Sequence, residues 1–211
     1  GAAGLRPAVK ELCRQAQEAV EGGATILILS DRGVNADQAP IPSLLATAAV
    51  HHHLIRTGHR MKAALVIEAG DVHEVHQFAC LVGYGASAVY PYLAYQTIRG
   101  MSNAGRLGDT TYEAAMAAYH KAVDQGLLKI MSKMGISTVG SYRGAQIFEA
   151  LGLSDELTED CFPGTSTRNR TRPGRDGFVR NSTVADGCVS SKTTSSVATI
   201  VWCVSAWMSA T

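Results

Sequence analysis

The chain has 211 residues, 46% of them hydrophobic and 18% charged, with a formal net charge of +1 at pH 7. That length suits one domain with a real core, or two small ones. The near-zero charge removes the electrostatic case for nucleic acid or an anionic membrane as a partner, and the longest uncharged apolar run, 197–208, is too short to cross a bilayer.

Taken in order, residues 7–21 place Val9, Leu12, Cys13, Ala16, Ala19 and Val20 at helical spacing, and Gly22 and Gly23 stop the pattern. Residues 24–29, ATILIL, form a continuous aliphatic run that predicts a strand buried on both faces. Ser30, Asp31, Arg32 and Gly33 leave its carboxyl end, and a polar loop follows to Pro40 and Pro42. Residues 43–57 predict a helix ended by Gly58, and 63–68 a second buried strand ending at Glu68. Asp71 and Glu74, three apart, resemble a capping box before a helix carrying Val75, Phe78, Ala79 and Val82. A third strand is expected at 86–90, with Pro91 opening the next helix. A Gly/Ser/Asn/Asp loop at 100–109 leads to a stripe of Tyr112, Ala115, Met116, Tyr119 and Val123.

The stretch 126–152 predicts the end of that helix, a fourth strand at 135–139 (GISTV), and a new helix over 143–151. Ser141 stands where an N-cap belongs, and Gly152 where a C′ glycine belongs. The expected fold class is therefore α/β: a partial parallel sheet of about four strands alternating with helices. Four strands are too few to close an eight-stranded barrel, so the sheet is open or part of something larger.

Beyond residue 167 the character changes. Residues 168–180 hold five arginines, 181–196 are rich in Ser and Thr, and both tryptophans lie at 202 and 207. No pattern there continues the α/β rhythm. The expected division is an α/β region at 1–167 and a divergent segment at 168–211, poorly ordered over its polar half.

Ligands of open α/β sheets sit at the strand carboxyl ends. Those ends carry Asp31 and Arg32, Glu68, Tyr90, Tyr92 and the segment 137–143. Asp31, Glu68 and Arg143 are expected either to converge as an anionic-ligand crevice or to form an internal salt-bridge and capping network. Ser141 and Arg143, opening a helix directly after a strand, are candidates to hold an anion. The run 83–88 matches G-x-G-x-x-A, but it ends a helix and enters a strand, the reverse of a dinucleotide fingerprint. His51, His52 and His53 point about 100° apart on a helix and share no face. His73 and His76 stand at i, i+3 without the further ligands a metal needs. Buried, hydrogen-bonded histidines are the expected reading. The five cysteines at 13, 80, 161, 188 and 203 contain no C-x-x-C pair and predict reduced thiols. Sequons at Asn169 and Asn181 are discounted, because no secretory signal is visible.

Three blocks in order carry a family resemblance: SDRGVNADQAPIPSLLATAAVHHHLIR (30–56), VIEAGDVHEVHQFACLVGYGASAVYPYLA (66–94) and GLLKIMSKMGISTVGSYRGAQIFEALGLS (126–154). They resemble the central domain of the glutamate synthase large subunit, and FPGTSTR (162–168) still fits. The resemblance covers about residues 5–168.

It implies an oxidoreductase family acting on CH–NH2 donors, which makes two glutamates from glutamine, 2-oxoglutarate and a reductant. An amidotransferase domain releases ammonia, which is channelled to a barrel carrying FMN and a 3Fe-4S cluster. The central domain joins the two. The implied partners are those two domains, and a small reductase subunit or ferredoxin; the implied location is cytoplasmic, or the plastid stroma. No catalytic, cofactor or metal residue carries over to this stretch, which is expected to be inactive alone. Lys133, Ser141 and Arg143 match the family motif and are expected to face the barrel domain. After Arg168 the resemblance stops, which suggests an out-of-frame tail. The competing expectations are a free-standing small α/β enzyme, or a docking module binding an anionic ligand at the strand ends.

Overall fold

A computed structural model describes residues 4–35, 38–168, 187–194 and 196–205. Helix α1 (Leu5–Glu21) buries Leu5, Ala8, Val9, Leu12, Cys13, Ala16 and Val20, the i, i+3, i+4 set of one face. Strand β1 (Ile26–Ser30) follows, then the short β2 (Gln38–Pro40) and helix α2 (Ser43–Arg56). A 3-10 turn at Arg60–Lys62 leads into β3 (Ala64–Glu68), helix α3 (Val75–Gly83) and β4 (Ala88–Tyr90). Two helices come next, α4 (Tyr92–Asn103) and the 22-residue α5 (Tyr112–Lys133), which Thr111 caps by accepting from Ala114 N.

The sheet runs β2-β8-β1-β3-β4, where β8 is Val197–Ser205. β1, β3 and β4 are mutually parallel, with Leu27 opposite Leu65, Leu29 opposite Ile67 and Val66 opposite Ala88. Parallel neighbours need a crossover, and α2 and α3 supply the two. Strand β8 is parallel to β1 on its other side, with Ile28 opposite Thr199. Strand β2 is antiparallel to β8, as is β7 (Gly187–Thr194). The α/β class and three of the expected parallel strands are present.

Several local expectations are overturned. Residues 135–139 are not a strand. Gly135 takes φ 69° as α5 ends, and Thr138 then caps a single turn, α6 (Val139–Tyr142), by accepting from Ser141 N. Ser141 therefore lies inside a helical turn rather than at its cap. Residues 143–151 are not a helix. Arg143 is extended, Gln146 has φ 54°, and β5 (Glu149–Leu151) pairs in parallel with β6 (Ser166–Arg168). Gly152, at φ 73°, turns the chain out of β5 instead of closing a helix. Between β5 and β6, α7 (Asp155–Cys161) is capped by Ser154.

The capping box at α3 is formed by Glu74 and Gln77, one register later than the Asp71–Glu74 pair. Burial of β1 and β3 alternates: Leu27, Leu29, Leu65 and Ile67 are fully buried, while Ile26 is 37% exposed, so one face alone is sealed. The Ser/Thr-rich stretch and the run before Trp207 also contain strands, β7 and β8, where no strand pattern was read. Asn169, Asn181 and most of the arginine-rich stretch lie outside the described residues.

The core lies between this sheet and the helices. α1 packs on α2, and α2 packs on α3 and α7. The pair α4 and α5 stands further out: α4 buries no residue and α5 buries only Met131.

Candidate functional site

The carboxyl ends of β1 and β3 bring Asp31, Arg32 and Glu68 together. Arg32 Nε donates to Glu68 Oε1 at 2.6 Å, and Ser30 Oγ donates to Glu68 Oε2 at 2.5 Å. One carboxylate thus ties the ends of two adjacent strands. The Arg32 guanidinium also lies 4.2 Å above the ring of Tyr92, in cation–π geometry. Its pKa is raised, chiefly by the hydrogen bond to Glu68.

Asp31 is 4% exposed and accepts from Gly70 N at 2.8 Å. The Tyr92 hydroxyl is a second partner. Burial pushes the Asp31 carboxyl up, and the bonds from Gly70 and Tyr92 oppose that shift. Burial, then the charge of Asp31, pushes Tyr92 up to about 12. Next to it, Asp71 Oδ2 accepts from Ser43 N at 3.2 Å, satisfying a free donor at the start of α2. Ser30 and Gly70 carry no charge signal in the sequence, and only the register of β1 against β3 places them here.

Arg143 does not join this group. Gly144 N donates to Gly83 O at 2.9 Å, which holds the segment against the end of α3. There the Arg143 charge acts on His51 and Arg60, at the amino ends of β3 and β4. Arg60 donates from Nε to His51 Nδ1 at 2.8 Å, from Nη1 to Ala63 O at 2.7 Å and from Nη2 to Gly85 O at 2.8 Å. Burial first, then Arg60, His52 and Arg143, lower His51 to about 4; burial and Arg56 lower His52 to about 4. Both rings are therefore neutral near pH 7. His53 Nε2 meets Gln17 Oε1 at 2.8 Å. Lys133 is exposed in the last turn of α5, and Ser141 is exposed and bonded to Thr138.

Among the described residues no group of three or more His, Cys, Asp or Glu is placed to hold a metal ion. Cys13, Cys80 and Cys161 are buried and free, and Cys80 faces His76 Nε2 at 3.5 Å, on a different helix from the other two. Burial pushes Cys13 and Cys161 up to about 12 and Cys80 up to about 11, which keeps them protonated. These three residues do not fit an iron–sulfur cluster. The strand-end group is chemically closed: each of its charged side chains holds another part of the fold.

Residues 1–154 match the family model "Glutamate synthase central domain". The NADPH glutamate synthase large chain of Bacillus subtilis is 49% identical over 164 residues, covering 78% of this chain and 11% of that protein. The NADH glutamate synthase of Saccharomyces cerevisiae is 45% identical over 177 residues, covering 81% and 8%. The ferredoxin-dependent glutamate synthase 2 of Synechocystis is 47% identical over 182 residues, covering 80% and 12%. The chain thus spans about a tenth of the length of the curated relatives it matches. With its open parallel sheet and the family match over 1–154, the chain belongs to the glutamate synthase central domain family.

Proposed function

We propose that this chain serves as the later part of the central domain of a glutamate synthase large chain: a scaffold between an amidotransferase site and an FMN-dependent synthase site. The observation that carries this reading is the self-paired strand-end group. In an independent α/β enzyme, that crevice would present charged groups to a ligand. Here Glu68 is taken by Arg32 and Ser30, and Asp31 by Gly70 and Tyr92. The charges hold loops in place, which is what a coupling element requires.

On this reading, FMN and the 3Fe-4S cluster are held by other domains of the parent chain, which are its partners in cis. The matched relatives are named for NADPH, NADH and ferredoxin at 49, 45 and 47% identity. That spread supports a segment that does not itself distinguish a reductase subunit from ferredoxin. No helix among the described residues is long and apolar enough to cross a membrane. One Arabidopsis relative is named as chloroplastic. Cytoplasm or plastid stroma is the proposed location. The boundary at residue 167 marks where the family resemblance ends; beyond it, β8 still pairs with β1 in the main sheet.

The test is a chimera. Residues 5–168 replace the matching stretch of the Bacillus subtilis large chain, and glutamate formed is measured against glutamine consumed. The expected result is nitrogen transfer still coupled to glutamine hydrolysis. A chimera that binds its flavin and cluster but releases ammonia without forming glutamate from it counts against the coupling role.

A further inference from the structure

We propose that the outer face of the parallel strands β1, β3 and β4 is a docking surface for one helix supplied by the remainder of a glutamate synthase large chain. It rests on the central-domain reading above and adds the element that covers the sheet. The face is formed by Ile26 and Ile28 of β1, Ala64 and Val66 of β3, and Ala88 of β4. Side chains alternate along a strand, so these five point away from Leu27, Leu29, Leu65, Ile67 and Val89.

The two faces differ in what covers them. Leu27, Leu29, Leu65 and Ile67 belong to the core together with buried residues of α1, α2, α3 and α7, and Val89 packs against it. Tyr119, Val123 and Leu127 of α5 lean on that same core. None of the five outer residues belongs to the core or packs against it. Ile26 is 37% exposed, Ala88 is exposed, and Ile28, Ala64 and Val66 are half-buried. Parallel sheets are as a rule covered by helices on both faces. Among the described residues, the helices that reach this core all reach it from one side of the sheet.

The size and chemistry of the face fit a helix. Ile28, Val66 and Ala88 stand side by side in register, and a row of three strands spans about 10 Å, the diameter of one helix with its side chains. No charge lies among the five residues. The next row, at the strand carboxyl ends, holds Glu68, which Arg32 and Ser30 already engage. The facing stripe of the occupant is therefore apolar. A loop would bring unpaired backbone groups onto this surface, whereas a helix satisfies its own. A second copy would stack sheet on sheet and leave the parallel strands without a helical layer. The chain spans about a tenth of the relatives it matches, so a parent chain has ample length to supply the helix.

The test uses Ile26→Cys and Ala88→Cys in two settings: the 211-residue chain, and the chimera that carries residues 5–168 in the Bacillus subtilis large chain. Maleimide labelling at each position is followed by peptide mass mapping. In the 211-residue chain both are expected to label at rates similar to Met61→Cys, a position 96% exposed. In the chimera labelling at both is expected to slow at least about 100-fold. A photocrosslinker carried on Ala88→Cys is expected to reach large-chain residues outside the replaced stretch, at i, i+3 and i+4 spacing. Labelling as fast in the chimera as in the 211-residue chain overturns the proposal, as do crosslinks formed only between two copies. Coupled glutamate formation is read separately. A chimera that protects position 88 but loses coupling counts against the scaffold role and leaves the docking face standing; one that couples with position 88 open does the reverse. If the chimera does not assemble, the 211-residue chain decides. Ile26→Lys and Ala88→Lys are then expected to leave its urea midpoint unchanged, and a large drop, showing the face already filled by its own chain, overturns the proposal.

Discussion

His51 shows how one side chain can be committed to a single protonation state by its neighbours. Its Nδ1 accepts from Arg60, so a proton on that nitrogen breaks the bond and places a cation beside a guanidinium. In the unfolded chain histidine titrates near 6.5; in the fold His51 and His52 titrate near 4. The folded pKa values are depressed, so the unfolded state binds more protons between these limits. Stability is full above about 6.5, declines as pH falls through the window, and has lost the whole contribution below about 4. Urea midpoints measured from pH 7 to pH 4.5 are expected to fall. His51→Asn keeps an acceptor near the Nδ1 position and cannot titrate, so it should reduce that slope while His52 and His53 keep their shares. A slope identical to the parent chain would place the proton uptake elsewhere. The Glu11 carboxyl, held down at about 2 by Arg14, acts at lower pH and does not overlap the upper part of this window. Asp31, Arg32 and Glu68 were legible as a group, because all three follow directly on strand ends. Arg143 was not, because its placement depended on a strand at 135–139 that does not form.

That missing strand is an element-scale effect. GISTV has the composition of a strand, but Gly135 is spent on closing α5, and only Ile136 to Thr138 lie between that turn and α6. A three-residue segment without a neighbour gains no ladder bonds, so β propensity alone does not make a strand. The helices, with longer periodic signals, were read more closely: α1, α2, α3 and α5 stand where their stripes placed them. Gly126 in α5 marks the contact with α3. A Cβ there would lie 2.5 Å from Val75 Cγ1 and 2.6 Å from Cγ2. Gly126→Ala therefore sets two effects against each other. Helix propensity favours Ala by about 1 kcal/mol, whereas forcing a methyl into a filled contact costs about 1–3 kcal/mol. The expected outcome is net destabilisation of about 1 kcal/mol in urea unfolding. Adding Val75→Ala should recover it. A stabilised Gly126→Ala would mean that α5 rides freely over α3.

At the scale of the whole molecule, the sheet depends on its last strand. β8 lies between β1 and β2, and the backbone N–H groups of Thr25 and Ile26 donate to Ser196 O at 2.8 and 3.0 Å. A chain ending at Arg168 would leave one edge of β1 unpaired and remove the strand that pairs with β2 among the described residues. Open edges recruit other chains. Such a truncated chain is expected to unfold at lower urea and to self-associate in sedimentation velocity. A monomer of unchanged midpoint would show that β8 contributes nothing to the sheet. Residue order alone determined the helix stripes, the three parallel strands, the carboxylates at their ends and the family, because periodicity and motif spacing are local properties. Three features were decided only in three dimensions: the strand that occupies the slot beside β1, the end of the sheet at which Arg143 lies, and the outer sheet face that no described helix covers. Each depends on which distant segment completes a hydrogen-bond ladder or a packed face, and that partner is separated by tens of residues with no periodic signal linking the two.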